Sequence, residues 1–231
     1  MEKTPNKFII YCIPGLGTNQ SLFKKLQLIN AELVHIQWLK PLKKETLPEY
    51  ALRLAEQIDQ TQPFILMGVS FGGMCAIEIA KKLTPLKTIL ISSSKTATEL
   101  PWNFELLKIV PVYKLLTEKI SIAGARLFKK RIGVTPEIEN DFSMLLTLPP
   151  EHYYRRTIDM IVHWENKQVP ANCMHIHGTA DRVLPLKKEV DYNQIIKNGS
   201  HLMILDRAGD ISGIINRELQ CLFAHHVFSS H

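Results

Sequence analysis

Short apolar runs bounded by turn residues alternate with stretches of helical spacing from the start of the chain. Phe8–Ile13, closed by Pro14-Gly15-Leu16-Gly17, reads as a buried strand, and Leu33–Trp38, Phe64–Val69 and Leu86–Ile91 repeat the pattern. Between them the spacing predicts helices over Ser21–Ile29, from Pro48 through Tyr50, Leu54 and Ile58, and over Met74–Leu83, with Pro48 suited to a first helical turn. This βαβαβαβ rhythm predicts an α/β fold, a mostly parallel central sheet with helices on both faces.

From about Lys95 to Lys167 no strand signal interrupts a series of amphipathic stretches: Phe104–Ile120, Ile122–Arg131, Ile138–Leu146 and Tyr153–Trp164. The expected organisation is a core of residues 1–94 and 168–231 with a helical cap, 95–167, inserted into it. Strand signals return at Cys173–His177 and Asn193–Lys197, separated by a helix expected near Pro185–Tyr192. A last helix is expected over Ile211–Phe223.

Composition narrows the setting. In 231 residues, 45% apolar and 22% charged positions suit a folded globular chain and exclude predominant disorder. No apolar run reaches the roughly 18 residues of a membrane span. Met1–Lys7 is polar, and Phe8–Ile13 is too short for the core of a signal peptide, so a cytoplasmic location is expected. Cys12, Cys75, Cys173 and Cys221 lie far apart without a C-x-x-C and read as small buried hydrophobes in a reducing compartment. The net charge of +6 comes largely from scattered pairs such as Lys24-Lys25 and Lys187-Lys188, which does not imply nucleic acid.

Chemistry concentrates at Gly68-Val69-Ser70-Phe71-Gly72-Gly73, a G-x-S-x-G at a strand-to-helix junction. Such a turn forces the serine to positive φ and lifts its hydroxyl above the sheet, while strand and helix approach too closely for side chains two before and two after it. At this chain's Gly and Ser frequencies, roughly 0.025 matches would arise by chance. A serine needs a histidine to accept its proton and a carboxylate to hold that histidine. Asp181, after the Cys173–His177 strand, and His201, after the Asn193–Lys197 strand, stand in the required order on loops that converge on one sheet edge. One oxyanion donor is expected to be the backbone N–H of Phe71, and the second comes from Pro14-Gly15-Leu16-Gly17, with the Leu16 N–H the first choice.

Strand-PGLG, GVSFGG, HGTADRVLP and GSHLMILDRA together resemble the α/β-hydrolase fold family, in its small esterase-like branch with a helical cap. The resemblance covers residues 8–94 and 171–228 by motif and the remainder by architecture. It implies a catalytic triad of Ser70, Asp181 and His201 and an oxyanion hole from Leu16 and Phe71. Many members carry a histidine before the first oxyanion glycine; here Ile13-Pro14 stands instead.

Other residues compete for these roles. His175 and His177 share one face of a strand and, near Asp181 and His201, suggest a metal site or a supporting role behind the acid loop. Ser92-Ser93-Ser94 lacks the flanking glycines of an elbow and reads as pocket lining or the start of the cap hinge. Asp206 and Asp210 follow His201 and read as surface or helix N-terminal groups, and Asp159 lies in the cap. Arg126, Lys129, Lys130 and Arg131 form a basic cluster, read as a solvated face or as a surface steering an acidic carrier protein or a coenzyme A thioester. The expected activity is cofactor-free hydrolysis of a small ester or thioester through an acyl-enzyme on Ser70. The alternatives are a lyase using the same triad as a base, a non-catalytic ligand-binding protein and, third, a metal-dependent hydrolase.

Overall fold

The computed structural model describes residues 7–146 and 149–228, so the N-terminal residues weighed for targeting lie, up to Asn6, outside the described residues. The chain runs β1 (Phe8–Ile13), β2 (Ala31–His35), α1 (Leu47–Ala55), β3 (Phe64–Val69), α2 (Phe71–Ala80) and β4 (Lys87–Ile91). Five helices follow without a strand between them: α3 (Trp102–Ile109), α4 (Glu118–Leu127), α5 (Lys129–Ile132), α6 (Glu139–Leu145) and α7 (Tyr153–Val162). β5 (Cys173–Gly178), β6 (Gln194–Ile196), α8 (Met203–Asp206) and α9 (Ala208–Phe228) complete the fold. All six strands are parallel, in the order β2-β1-β3-β4-β5-β6.

Strand alternation explains why both faces of this sheet are apolar. Ile10 and Cys12 of β1 and Ile65 and Met67 of β3 project to one face, where Ile211, Ile215 and Leu219 of α9 cover them. Tyr11, Ile13 and Leu66 project to the other, against Tyr50 and Leu54 of α1, Ile77 of α2, and Met160 and Ile161 of α7. A parallel sheet buried this way needs near-continuous hydrophobic strands, and these strands supply them. The chain leaves β1 for the edge strand β2 and then returns to β3 on β1's other side. That reversal opens a crevice at the C-terminal ends of β1 and β3, where Pro14–Gly17 and Ser70 lie.

Several expected helices differ, each for a definable reason. Gln20–Phe23 forms only a 3-10 turn, because the backbone beyond it is stitched to α9: Gln27 N–H donates to Ser212 Oγ and Ile29 N–H to Asn216 Oδ1, both at 2.9 Å. No helix forms over 185–192. Lys187 N–H donates to Tyr192 Oη instead, and Lys187 Nζ reaches the carbonyls of Thr98 and Leu100. Phe104–Ile120 is broken at Pro111, which lacks an N–H and crowds the preceding turn; α4 starts afresh at Thr117, whose side chain caps Ile120 N–H. α1 begins at Thr46, which forms a capping box with Glu49. Of the cysteines, Cys12 and Cys75 are buried and Cys221 is exposed.

Glycine at the elbow is demanded by backbone rather than by φ alone. A Cβ on Gly68 would overlap the backbone of Gly72, and one on Gly72 would overlap the carbonyl oxygens of Ile13 and Pro14. Gly72→Ala is therefore expected to destabilise the protein by about 3 kcal/mol, since fixed carbonyls cannot relax as side chains do. A lower urea midpoint with an unchanged m-value would show it.

Candidate active site

Ser70 sits between β3 and α2 at φ 54°, ψ −120°, a conformation that non-glycine residues adopt only under constraint. Four hydrogen bonds hold it there. Its N–H donates to Ile91 O at 3.0 Å, and its carbonyl accepts from Gly73 N–H at 2.9 Å, from Met74 N–H at 3.3 Å and from the Ser93 hydroxyl at 2.7 Å. The Ser70 side chain lies against the turn after β1, since a Cβ on Gly15 would stand 3.7 Å from that of Ser70. In that turn Thr18 N–H donates to Gly15 O and Gly17 takes φ +69°, with Leu16 at the second turn position. Phe71 N–H opens α2 and so has no intrahelical acceptor.

Asp181 and His201 reach Ser70 from the loops after β5 and β6. Asp181 Oδ1 accepts the N–H groups of Val183 and Leu184, at 2.9 and 2.8 Å, which turns Oδ2 toward His201. His201 Nδ1 lies 2.8 Å from Asp181 Oδ2, and His201 Nε2 lies 3.0 Å from Ser70 Oγ. A carboxylate only accepts, so Nδ1 carries the imidazole proton and Nε2 is left to accept the serine hydroxyl. Residues 70, 181 and 201, far apart in sequence, meet in one hydrogen-bonded line.

No family model matches the chain, and no curated protein matches it. Among solved structures, MenH from S. aureus shares 15% identity over 96% of each chain, with a TM-score of 0.68. A thermophilic esterase from Thermogutta terrifontis shares 16% identity over 94% of this chain and 91% of its own, at 0.66. A lipase-esterase related protein from Clostridium acetobutylicum shares 18% over 93% and 96%, at 0.62. The chain has the α/β-hydrolase fold.

Within this α/β-hydrolase fold the acid loop is backed by a buried polar chain. His177 Nε2 lies 2.9 Å from Leu184 O, so it carries the proton; His177 Nδ1 then accepts from His175 Nε2 at 3.2 Å. His175 Nδ1 is buried with no partner among the described residues, and both rings pack on Tyr192. His177 Nε2 also stands 3.7 Å from Asp181 Oδ2. The two imidazoles thus buttress the acid loop. Burial holds the His175 imidazole far below its ordinary pKa, reinforced by His177 and Lys95, and burial lowers His177 against the opposing pull of Asp181. Burial alone would raise the Asp181 carboxyl, but the His201 ring and the Leu184 amide outweigh it and leave Asp181 below the usual carboxylate value.

The rival groups lie elsewhere or serve the elbow. Ser93 pins the Ser70 carbonyl, and its side chain fills the space a Cβ on Gly73 would need. Asp159 accepts from Tyr113 Oη, and Asp210 lies in the first turn of α9. Two contributors escaped the sequence reading. Trp38 stacks on Phe71 at 5.4 Å while its indole N–H donates to Thr18 O, and Tyr154 packs against Gly17. The doubled glycine after Phe71 hinted at Ser93's approach; no local pattern marks Trp38.

His175 makes stability pH-dependent. Its folded pKa lies below the unfolded value of about 6.5, so the unfolded chain binds the extra proton and stability falls as pH drops below that value. His175→Gln is expected to flatten this decline by up to about 1.4 kcal/mol per pH unit, measured by urea unfolding across the acid limb.

Proposed function

We propose that this protein is a serine hydrolase that cleaves a small, neutral carboxylic ester or thioester through an acyl-enzyme on Ser70. The observation that carries this reading is the continuous line from hydroxyl to imidazole to carboxylate at 3.0 and 2.8 Å. Ser70 Oγ attacks the carbonyl carbon as His201 Nε2 takes its proton, and Asp181 stabilises the imidazolium that forms. The N–H groups of Leu16 and Phe71 hold the oxyanion, each worth about 3 kcal/mol, with the positive end of α2 behind Phe71. His201 then protonates the leaving alcohol or thiol. A water deprotonated by the same nitrogen releases the acid, and no cofactor enters.

The ester's acyl side is read from the space in front of Ser70. A cavity of about 520 Å³ is walled by Leu116, Ile120, Phe128, Ile132 and Phe142 from the helical segment and by Leu202, with Ser70 and His201 at its floor. No lysine or arginine lines it, which supports an uncharged acyl chain. Helices between residues 95 and 167 roof this space and act as the cap. Location in the cytoplasm belongs to the same reading, supported by four cysteines that form no disulfide.

Two measurements test the reading. Ser70→Ala is expected to lower kcat on p-nitrophenyl esters by roughly 10⁴-fold or more without shifting the unfolding midpoint, and a fluorophosphonate should modify Ser70 in the wild type alone. A variant with wild-type turnover would refute the mechanism. In a panel of acyl lengths, kcat/KM should rise up to about fourfold per added methylene until the cavity fills. A Cβ at Gly124 would meet open space, so Gly124→Leu should intrude on the cavity, shifting the optimum to shorter acyl chains and sparing acetyl esters.

A further inference from the structure

The helices that roof the cavity carry exposed apolar side chains that no described residue covers. On α3, Trp102, Leu106 and Ile109 follow i, i+4, i+7 spacing and share one side. Phe104 and Leu107, on the opposite side, are partly buried. The outward side chains are open to different degrees: Trp102 is 77% exposed, Ile109 79% and Leu106 48%. The 3-10 turn that follows adds Leu115 at 80%, and α4 adds Leu127 at 77%. α3, the 3-10 turn Val112–Leu115 and α4 all pack on α7, so their outward faces stand away from a common base. Isolated exposed leucines are ordinary; a row of large apolar side chains this open marks a surface that meets something.

Charge identifies the occupant. Residues 102–133 hold seven lysines and arginines (108, 114, 119, 126, 129, 130 and 131) against two glutamates, 105 and 118, in a chain whose whole net charge is +6. Lys108 pairs with Glu105 and Lys129 with Glu139, while Lys114, Lys119, Arg126, Lys130 and Arg131 form no ion pair among the described residues. Apolar side chains standing out from basic helices match a bilayer with anionic headgroups, into which the former insert while the latter meet phosphate. A second copy of this chain is disfavoured, because an isologous contact would set like charges against each other.

The same surface also meets the cavity. Ile120 and Phe128 line that space and are nonetheless more than half exposed, so they form its rim on the outward side. We propose that the α3–α4 surface docks this protein on anionic membranes, placing the rim of the cavity at the headgroup level. Binding needs no turnover and does not rest on the hydrolase reading; if both hold, the ester donor is a lipid-phase molecule that enters from the bilayer.

The test is partitioning of the full chain onto vesicles, with Ser70→Ala as the protein so that no lipid is altered. Vesicles of phosphatidylcholine with phosphatidylglycerol should bind it and vesicles of phosphatidylcholine alone should bind far less. Binding should fade as ionic strength rises from about 0.1 M to about 1 M, where the screening length shrinks from about 10 Å to about 3 Å. Tryptophan emission should shift to the blue on binding, and the shift should vanish in Trp102→Phe. Ile109→Glu with Leu115→Glu is expected to weaken partitioning about tenfold or more. Neutralising Lys130 and Arg131 with glutamine should weaken it about 30-fold. In the otherwise wild-type chain, neither pair should change hydrolysis of a soluble p-nitrophenyl ester. Absence of binding to anionic vesicles at low salt would overturn the proposal, as would binding indifferent to the Ile109 and Leu115 changes. It would equally fall if those changes abolish capture of an acidic carrier protein or self-association and leave vesicle binding intact. Vesicle binding by a chain that hydrolyses no ester would sink the hydrolase reading alone.

Discussion

Backbone packed on backbone at the end of β3 is the constraint on which the rest of the structure depends. Gly68, Gly72 and Gly73 let α2 press against the strand it follows, against the carbonyls after β1 and against Ser93, with no side chain between. Ser70 is thereby held at positive φ, a strain of about 1–3 kcal/mol that four hydrogen bonds and the surrounding packing offset. The same contact brings the Leu16 turn beside the serine. Any side chain at Gly72 would push the turn away from the helix and dissolve its juxtaposition with Ser70.

The surroundings of Ser70 divide sharply by chemistry. Behind His201 lies a buried polar chain, Asp181, His177 and His175, whose hydrogen bonds set each proton's position. In front lies an apolar cavity that no lysine or arginine among the described residues lines. The back side governs protonation and holds His201 in one tautomer, while the front side sets what kind of group can lie beside the hydroxyl. Low dielectric on both sides strengthens the carboxylate-imidazole interaction relative to the same pair in water. Trp38 and Tyr154 both contact the turn after β1, through Thr18 O and Gly17.

Between β4 and β5, α3 is apolar on two sides, with Trp102 and Ile109 open to solvent and Phe104 and Leu107 partly buried. α4 turns Gly124 and Ala125 toward the cavity while Leu127 points to solvent. α7 behaves differently: Met160 and Ile161 join the core beneath the sheet, and Tyr113 reaches across to Asp159 on it. This helix anchors the segment, and α3 and α4 ride on it.

Periodicity and one local motif determined much by themselves. Continuous apolar strands alternating with helical stretches point to a parallel sheet buried on both faces, and G-x-S-x-G at a strand end demands an elbow, so the fold class and the placement of Ser70, Asp181 and His201 on loops after β3, β5 and β6 were readable from residue order. What the tertiary structure decided is everything satisfied at a distance. Residues 24–29 look helical in isolation, yet their amides bond to Ser212 and Asn216, residues that no local window contains. Pro111 was visible but its cost to a long helix was outweighed, in the sequence pattern, by the apolar spacing around it. Ser93 beneath Ser70, Trp38 on Phe71 and the direction each side chain of residues 95–167 faces depend on which elements become neighbours, and the hydrophobic pattern of a single chain segment holds no information about its partner in space.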